Sequence, residues 1–402
     1  MMSPRAAGIP HVQKRRVPLW DNARWIAIAL VVLGHAILKL IAESDVAYEF
    51  YLFVYAFHVP LFVAVSGYFA RSGPLGTRQL HRLVTDIVLP YVIFETIWTV
   101  VHWLLGGEFR LDYSSPSWTL WFLIALLAWR LALPFLVLLR HPLLISVIIS
   151  VGAGYFASID STFALSRTLG LLPFFVFGWQ LRQWKLTDRW LGLHATAVWH
   201  WRIGAFTLFT ALLGVIVANI DALREAQVRQ FLLYDEAYPA FGYDQLWAGV
   251  IRLGLLLLAF ALIVAFLVLM PRRRLWFTPY GAATMYIYLL HSFVLFLLRE
   301  SGVLGGPQPG WVLPAMIGFS ALISIALSQR IVRRVFRPLI EPRARWLFRK
   351  TARTDTGTIV LPHLDAPAGT LAAEPPAEPP VEPPAEPPAD TPSADPAAGT
   401  PR

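Results

Sequence analysis

Ten stretches of this chain are apolar for long enough, or nearly so, to cross the ~30 Å hydrocarbon core of a bilayer. They fall near 24–42, 49–69, 84–105, 118–138, 142–158, 168–182, 203–220, 246–270, 282–299 and 311–330. The sixth is short and interrupted by Gly170, Pro173 and Gly178. A chain of 402 residues that is 56% hydrophobic, with a mean hydropathy of +0.56, does not fit an ordinary soluble domain. The expected class is an all-α polytopic membrane protein with about ten transmembrane helices.

Loop charge orients the spans. Basic residues gather in alternate loops: Arg71, Arg78 and Arg82; Arg182, Lys185 and Arg189; Arg272, Arg273 and Arg274. The intervening loops are acidic or mixed, with Glu43, Asp45 and Glu49, then Glu108 and Asp112, then Asp221, Glu225, Asp235 and Glu236. This alternation predicts that both termini are cytoplasmic, in a multi-pass protein of the plasma membrane. Lys14, Arg15 and Arg16 precede an apolar run, as in a signal peptide, but no Ala-x-Ala-like site follows and the run is of spanning length. An uncleaved first span is therefore expected.

The net charge of +9 is uneven. Residues 351–402 hold two basic and eight acidic residues, so the first 350 carry a net +15. Cytoplasmic loops account for such a balance without nucleic acid, for which no binding module is present. With no cysteine, disulfides, thiolate nucleophiles and Cys-ligated metals are excluded. From 374 to 388 the chain repeats Glu-Pro-Pro-(Ala/Val) with a period of four. Proline removes donors and favours an extended chain, which predicts a disordered tail; a docking segment for another protein is the alternative. The expected organisation is a cytoplasmic basic N-terminus (1–17), a transmembrane domain (18–335), a basic cytoplasmic flank (336–350) and an acidic Pro-rich tail (351–402). No soluble catalytic domain is expected, so any chemistry belongs to the membrane core.

Ionisable residues inside the spans are costly and point to function by default. Arg24 and His35 are eleven residues apart in the first span, which puts them within roughly 20° of one helical face and about 16 Å apart along it. This predicts a cation at the interface and an imidazole near mid-membrane, suited to act as a base near neutral pH or to pack against a carbonyl. Asp21 can pair with Arg24 three residues on. The second span carries His58, then Pro60, which should break the helix and free carbonyls, then Ser66 and Gly67, which permit close approach of a helix or ligand. Glu95 lies midway along the third span, with His102 seven residues later. It can orient a histidine or pair with an arginine. Trp118 and Trp121 open the fourth span, Arg130 follows, and the ninth holds Tyr286, Tyr288 and His291. No metal motif, phosphate loop or Gly-x-Ser-x-Gly elbow is present. Buried His, Glu and Arg also suit the proton relay of a transporter, yet the two halves show no repeat and the charged groups cluster in spans one to four.

One ordered set of motifs narrows these alternatives. Asp21-x-x-Arg24, Arg24-x10-His35, Phe57-His58-Val-Pro-Leu-Phe running to Ser66-Gly67-Tyr-Phe, the basic stretch Arg78–Arg82 leading to Pro90-Tyr91, and Trp121-Phe122-Leu123 follow one another over residues 18–335. This set resembles the acyltransferase-3 family of membrane O-acyltransferases, particularly its fucose 4-O-acetylase-like members. The resemblance implies an acyl-CoA donor, usually acetyl-CoA, reached from the cytoplasm, with no permanently bound cofactor. It implies a carbohydrate or glycosylated acceptor. It makes His35 the catalytic histidine with Arg24 as its paired motif residue, and it puts Arg71 and Arg82 at the donor side. Asp21 or Glu95 is expected to orient or charge-balance the imidazole. His58, Ser66, Trp118, Trp121 and His291 are expected to contact the acceptor. Family members acting on envelope glycans often carry an extracytoplasmic hydrolase-like domain; here the Pro-rich tail follows instead.

Overall fold

A computed structural model describes residues 17–344 and 346–348. The basic N-terminus and the Glu-Pro-Pro tail lie outside the described residues. The chain divides after Arg345 into two units, and the helical unit before that point is the one described below.

Sixteen α-helices and no strand are present among the described residues. In chain order they are α1 (Pro18–Ala36), α2 (Asp45–Tyr55), α3 (His58–Tyr68), α4 (Thr77–Leu83), α5 (Leu89–Leu104), α6 (Trp121–Leu136), α7 (Pro142–Ala153), α8 (Leu165–Gln183), α9 (Leu186–Gly192), α10 (Ala195–Ala218), α11 (Ile220–Glu225), α12 (Val228–Leu233), α13 (Ala248–Leu269), α14 (Thr284–Glu300), α15 (Val312–Leu327) and α16 (Arg330–Ile340). A helix occupies each of the ten apolar stretches, but their lengths differ from the expectation. Six helical segments among the described residues are long and apolar enough to cross a membrane: Asp45–Tyr68, Thr77–Leu104, Thr162–Gln183, Ala195–Ala218, Ala248–Leu269 and Thr278–Glu300. A seventh arises if α15 and α16, bent by 72° at their junction, count together. The helices at 121–136 and 142–153 are shorter apolar elements. The first stretch is shifted: Pro18 starts α1 at its first turn, where a missing N–H costs nothing. The helix therefore stops at Ala36, and residues 37–43 form turns.

The second span is broken where Pro60 predicts. Pro60 cannot donate to a carbonyl four residues back, and α2 ends at Tyr55 while α3 begins at His58. The junction residue Phe57 leaves helical geometry (φ −143°, ψ −19°). Between α4 and α5 one turn, 84–88, winds as a π-helix, a local expansion frequent at functional sites.

Helix α1 lies at the centre. It packs against α3, α14, α15 and the 3-10 turn Thr278–Ala283. Ala23, Ala27, Ile28 and Val32 are fully buried along it. Helix α8 seals the other side of α3 through two glycines. A side chain at Gly67 would overlap the backbone of Phe175, and one at Gly178 would overlap the backbone of Ala64. Backbone-to-backbone contact of this kind is how small residues join membrane helices without a hydrophobic driving force. By contrast α10, with Trp199, Trp201, Phe206, Val215 and Val217 exposed, presents its apolar surface outward. A helix that is apolar all round is at home in lipid.

A candidate active site at the end of the first helix

His35 stands in the last turn of α1, one residue from its end, instead of near the middle of a longer span. The cause is the early start and early stop of the helix. This placement puts the half-buried imidazole on the wall of a cavity of about 290 Å³. Trp118 meets it edge-on, with ring centroids 5.4 Å apart. His291, from α14, lies 5.5 Å away. His58 approaches from the α2–α3 break across Gly34: a Cβ there would stand 3.2 Å from His58 Nε2 and 3.0 Å from Tyr55 Cε2.

The tautomers of the two supporting histidines follow from their partners. His58 Nδ1 lies 2.9 Å from the Val54 carbonyl. His291 Nδ1 lies 2.7 Å from the Tyr288 carbonyl and 3.0 Å from that of Ile287. A carbonyl only accepts, so each Nδ1 carries the proton and donates, which leaves Nε2 with its lone pair. Both Nε2 atoms are buried without a hydrogen-bond partner among the described residues, as is His35 Nδ1. Buried polar atoms are normally satisfied, and a cluster that is not calls for an explanation in function.

Glu95 has Ser117, not an imidazole, as its hydrogen-bond partner among the described residues. On α5, and only 3% exposed, it accepts from the Ser117 hydroxyl at 2.5 Å and from the Ser117 N–H at 2.8 Å. Ser117 precedes Trp118, whose φ of +36° is a left-handed conformation that a bulky residue adopts only under constraint. The carboxylate thus holds the loop that brings Trp118 to His35. Further out on that loop, the Ser114 hydroxyl and N–H hold the Asp112 carboxyl below the usual carboxylate range.

Asp21 sits at the other end of α1, fourteen residues or about 21 Å from His35. There it pairs with Arg24 at 3.8 Å. The Arg24 guanidinium lies 3.7 Å over the Phe69 ring at the end of α3. Phe69 lines a second cavity, also about 290 Å³, together with Arg71, Arg82 and Arg130. Asp86, an exposed residue of the π-helical turn, shares it. The two arginines expected at the donor side therefore meet, joined by Arg130 of α6. Asn22, fully buried next to Asp21, donates to the Pro271 and Arg273 carbonyls at 3.0 and 3.1 Å and accepts from the Thr278 hydroxyl at 2.6 Å. It clamps the Arg272–Arg274 loop to the start of α1.

Ser66 and Trp121, expected at the acceptor, are not among the residues that line the His35 cavity. The Ser66 hydroxyl donates to the Phe62 carbonyl of its own helix at 2.9 Å. Trp121 packs on Phe122 and lies beneath the Arg167 guanidinium, 5.1 Å from its ring centroid. Conversely, Lys39, Arg229 and Arg299 line the His35 cavity, and no spacing signal in the sequence marks them. Among the described residues no group of three or more His, Cys, Asp or Glu is arranged to hold a metal.

Comparison with known proteins places this arrangement. Residues 18–329 match the family model of an acyltransferase domain, Acyl_transf_3. The nodulation protein NolL of Mesorhizobium japonicum is 29% identical over 104 residues, which cover 25% of this chain and 28% of that protein. NolL of Sinorhizobium fredii is 32% identical over 123 residues, covering 27% and 33%. The chain thus spans about a third or less of the length of these relatives. No solved structure matches it. The family match takes in α1 through α15, both cavities and all three clustered histidines, and so this multi-pass helical membrane protein belongs to the acyltransferase-3 family.

Proposed function

We propose that the protein is an integral-membrane O-acyltransferase. It moves an acyl group, acetyl in our reading, from a cytoplasmic acyl-CoA to a hydroxyl of a carbohydrate or glycosylated acceptor. The observation that carries this reading is the position of His35: a half-buried imidazole on a cavity wall, beside two buried imidazoles with free lone pairs, one helix length from a cavity lined by three arginines. The loop charges support a plasma-membrane topology with both termini cytoplasmic and the arginine cavity on that side.

In this scheme Arg71, Arg82 and Arg130 bind the CoA phosphates, since guanidinium pairs well with phosphate, and Arg24 stands beside them. The extended pantetheine arm carries the thioester along α1. His35 takes the proton from the acceptor hydroxyl, whose oxygen attacks the thioester carbonyl. The tetrahedral intermediate collapses, the C–S bond breaks, and the leaving thiolate takes the proton back from the imidazolium. The products are the ester and CoA thiol. In this reading His291 Nε2 accepts from the acceptor hydroxyl or from the His35 ring, and His58 backs His35 from the α2–α3 break. Glu95 is a positioning residue acting through Ser117 and Trp118, and Asp21 positions Arg24.

Purified protein with labelled acetyl-CoA and a glycan acceptor tests the scheme. Substituting His35→Ala should lower transfer by about 10²–10⁴ while the protein stays monodisperse. Near-normal turnover in that variant would rule out His35 as the base.

A further inference from the structure

The His35 cavity carries more positive charge than a neutral sugar needs. Lys39 reaches it from the turns after α1, Arg229 from α12 and Arg299 from the last turn of α14. No acidic residue lines it. Asp45, which shares a neighbouring cavity with Arg229, and Asp221 pair with Arg224, and Asp235 pairs with Arg167 at 2.8 Å. None of the three cavity cations has an ion-pair partner among the described residues. Arg299 lies 5.9 Å over the ring of Trp118, the same ring that packs on His35. Arg229 is half-buried, and its Nε has no hydrogen-bond partner among the described residues.

Lys39 and Arg299 are exposed at the rim of the cavity and Arg229 is half-buried in its wall, three like charges from three separate elements around one space. Their field concentrates an anion in the cavity. The volume, near the lower end of small-ligand pockets, suits one sugar unit rather than a length of polymer. We infer that the acceptor is an anionic carbohydrate: its phosphate or carboxylate sits against Lys39, Arg229 and Arg299 while a neighbouring hydroxyl meets His35. This inference rests on the acyltransferase reading of the same site. The charge orients the sugar, so that one hydroxyl among several reaches the base.

The test uses purified protein in phosphatidylcholine nanodiscs, labelled acetyl-CoA and three acceptors built on one sugar: glucose 1-phosphate, glucuronic acid and methyl glucoside. At least one charged acceptor should exceed the neutral one in kcat/KM by about tenfold, the scale of one charge-assisted contact. That ratio should collapse in Arg299→Gln and in Lys39→Gln and be retained in Arg299→Lys. Preference for the phosphate alone, or for the carboxylate alone, supports the inference and names the anion. Equal use of all three sugars, unchanged by Arg299→Gln, overturns it and leaves acyl transfer standing. Loss of the preference when phosphatidylglycerol is added overturns it too, because the cations then serve a lipid headgroup. If no sugar is acetylated, the acyltransferase reading fails, and thermal stabilisation decides the anion site alone. Glucose 1-phosphate or glucuronic acid should then stabilise the wild type more than methyl glucoside does, and Arg299→Gln should erase the difference; equal stabilisation by all three sugars overturns the site.

Discussion

The two ends of α1 differ in what their buried polar groups can do. At its start, the buried side chain of Asn22 has every polar atom matched, to two carbonyls and a hydroxyl, and Asp21 is paired with Arg24. At its finish, His35 Nδ1, His58 Nε2 and His291 Nε2 are all buried without partners among the described residues. The unmatched buried atoms at the start are the indole Nε1–H groups of Trp20 and Trp25, which only donate; those at the finish are imidazole nitrogens, which can take a substrate proton. The start of the helix therefore holds a loop beside the arginine cavity, and the finish has the groups able to move a proton, although both are polar and both lie inside an apolar bundle.

The glycines give the largest test of that division. Gly67, near the start-of-α1 end, touches the backbone of Phe175, which cannot swing aside. Gly67→Ala should part α3 from α8 and abolish folded, monodisperse protein. Gly34, next to His35, faces the rings of Tyr55 and His58 at 3.0 and 3.2 Å. Rings can give by a few tenths of an ångström, so Gly34→Ala should fold and lose turnover. Size-exclusion profiles and acetyl-transfer rates on both variants check the pair. Equal folding with equal activity would break the comparison.

A smaller effect separates stability from activity. Asn22→Leu strands two carbonyls and a hydroxyl and should cost about 1–3 kcal/mol, seen as a lowered Tm. His291→Leu removes a buried Nε2 without a partner and an Nδ1–H bonded only to carbonyls of its own helix, so its Tm should fall less than that of Asn22→Leu while transfer falls. A large loss of stability in His291→Leu would mean that this histidine is scaffold as well.

Much of this was legible in the sequence. Hydropathy located a helix in each apolar stretch, Pro60 marked the break, and the three-residue spacing of Asp21 and Arg24 foretold their pair. Six spans of full length stand where ten were expected, because helix ends depend on turns such as 37–43 that periodicity does not register. His291 is 256 residues from His35, and only tertiary packing of α14 on α1 brings the rings together. The cavity cations arrive from α12, the end of α14 and a turn, which share no motif. Glu95 was readable as a buried carboxylate in need of a partner. That the partner would be Ser117, in an irregular loop, carried no periodic signal.

That loop offers the finest contrast, between Glu95, which holds Ser117 beside Trp118, and Asp112, which holds Ser114 further out. Glu95→Gln exchanges a charged acceptor for a neutral amide at Ser117, a loss of about 1.5 kcal/mol. It should lower turnover by about tenfold as the strained Trp118 loosens against His35, with donor KM unchanged. Asp112 is on the exposed part of the loop, and its contribution is smaller. Its carboxyl is held below the usual range by Ser114, so its stabilisation is complete above the ordinary aspartate pKa of ~3.9 and fades as pH falls through the lowered value. The Tm gap between wild type and Asp112→Asn should therefore stay constant from neutral pH down to about pH 5 and close only below ~3.9. A gap that closes by pH 5 would show that Ser114 does not hold this carboxylate, and that Glu95 alone anchors the loop.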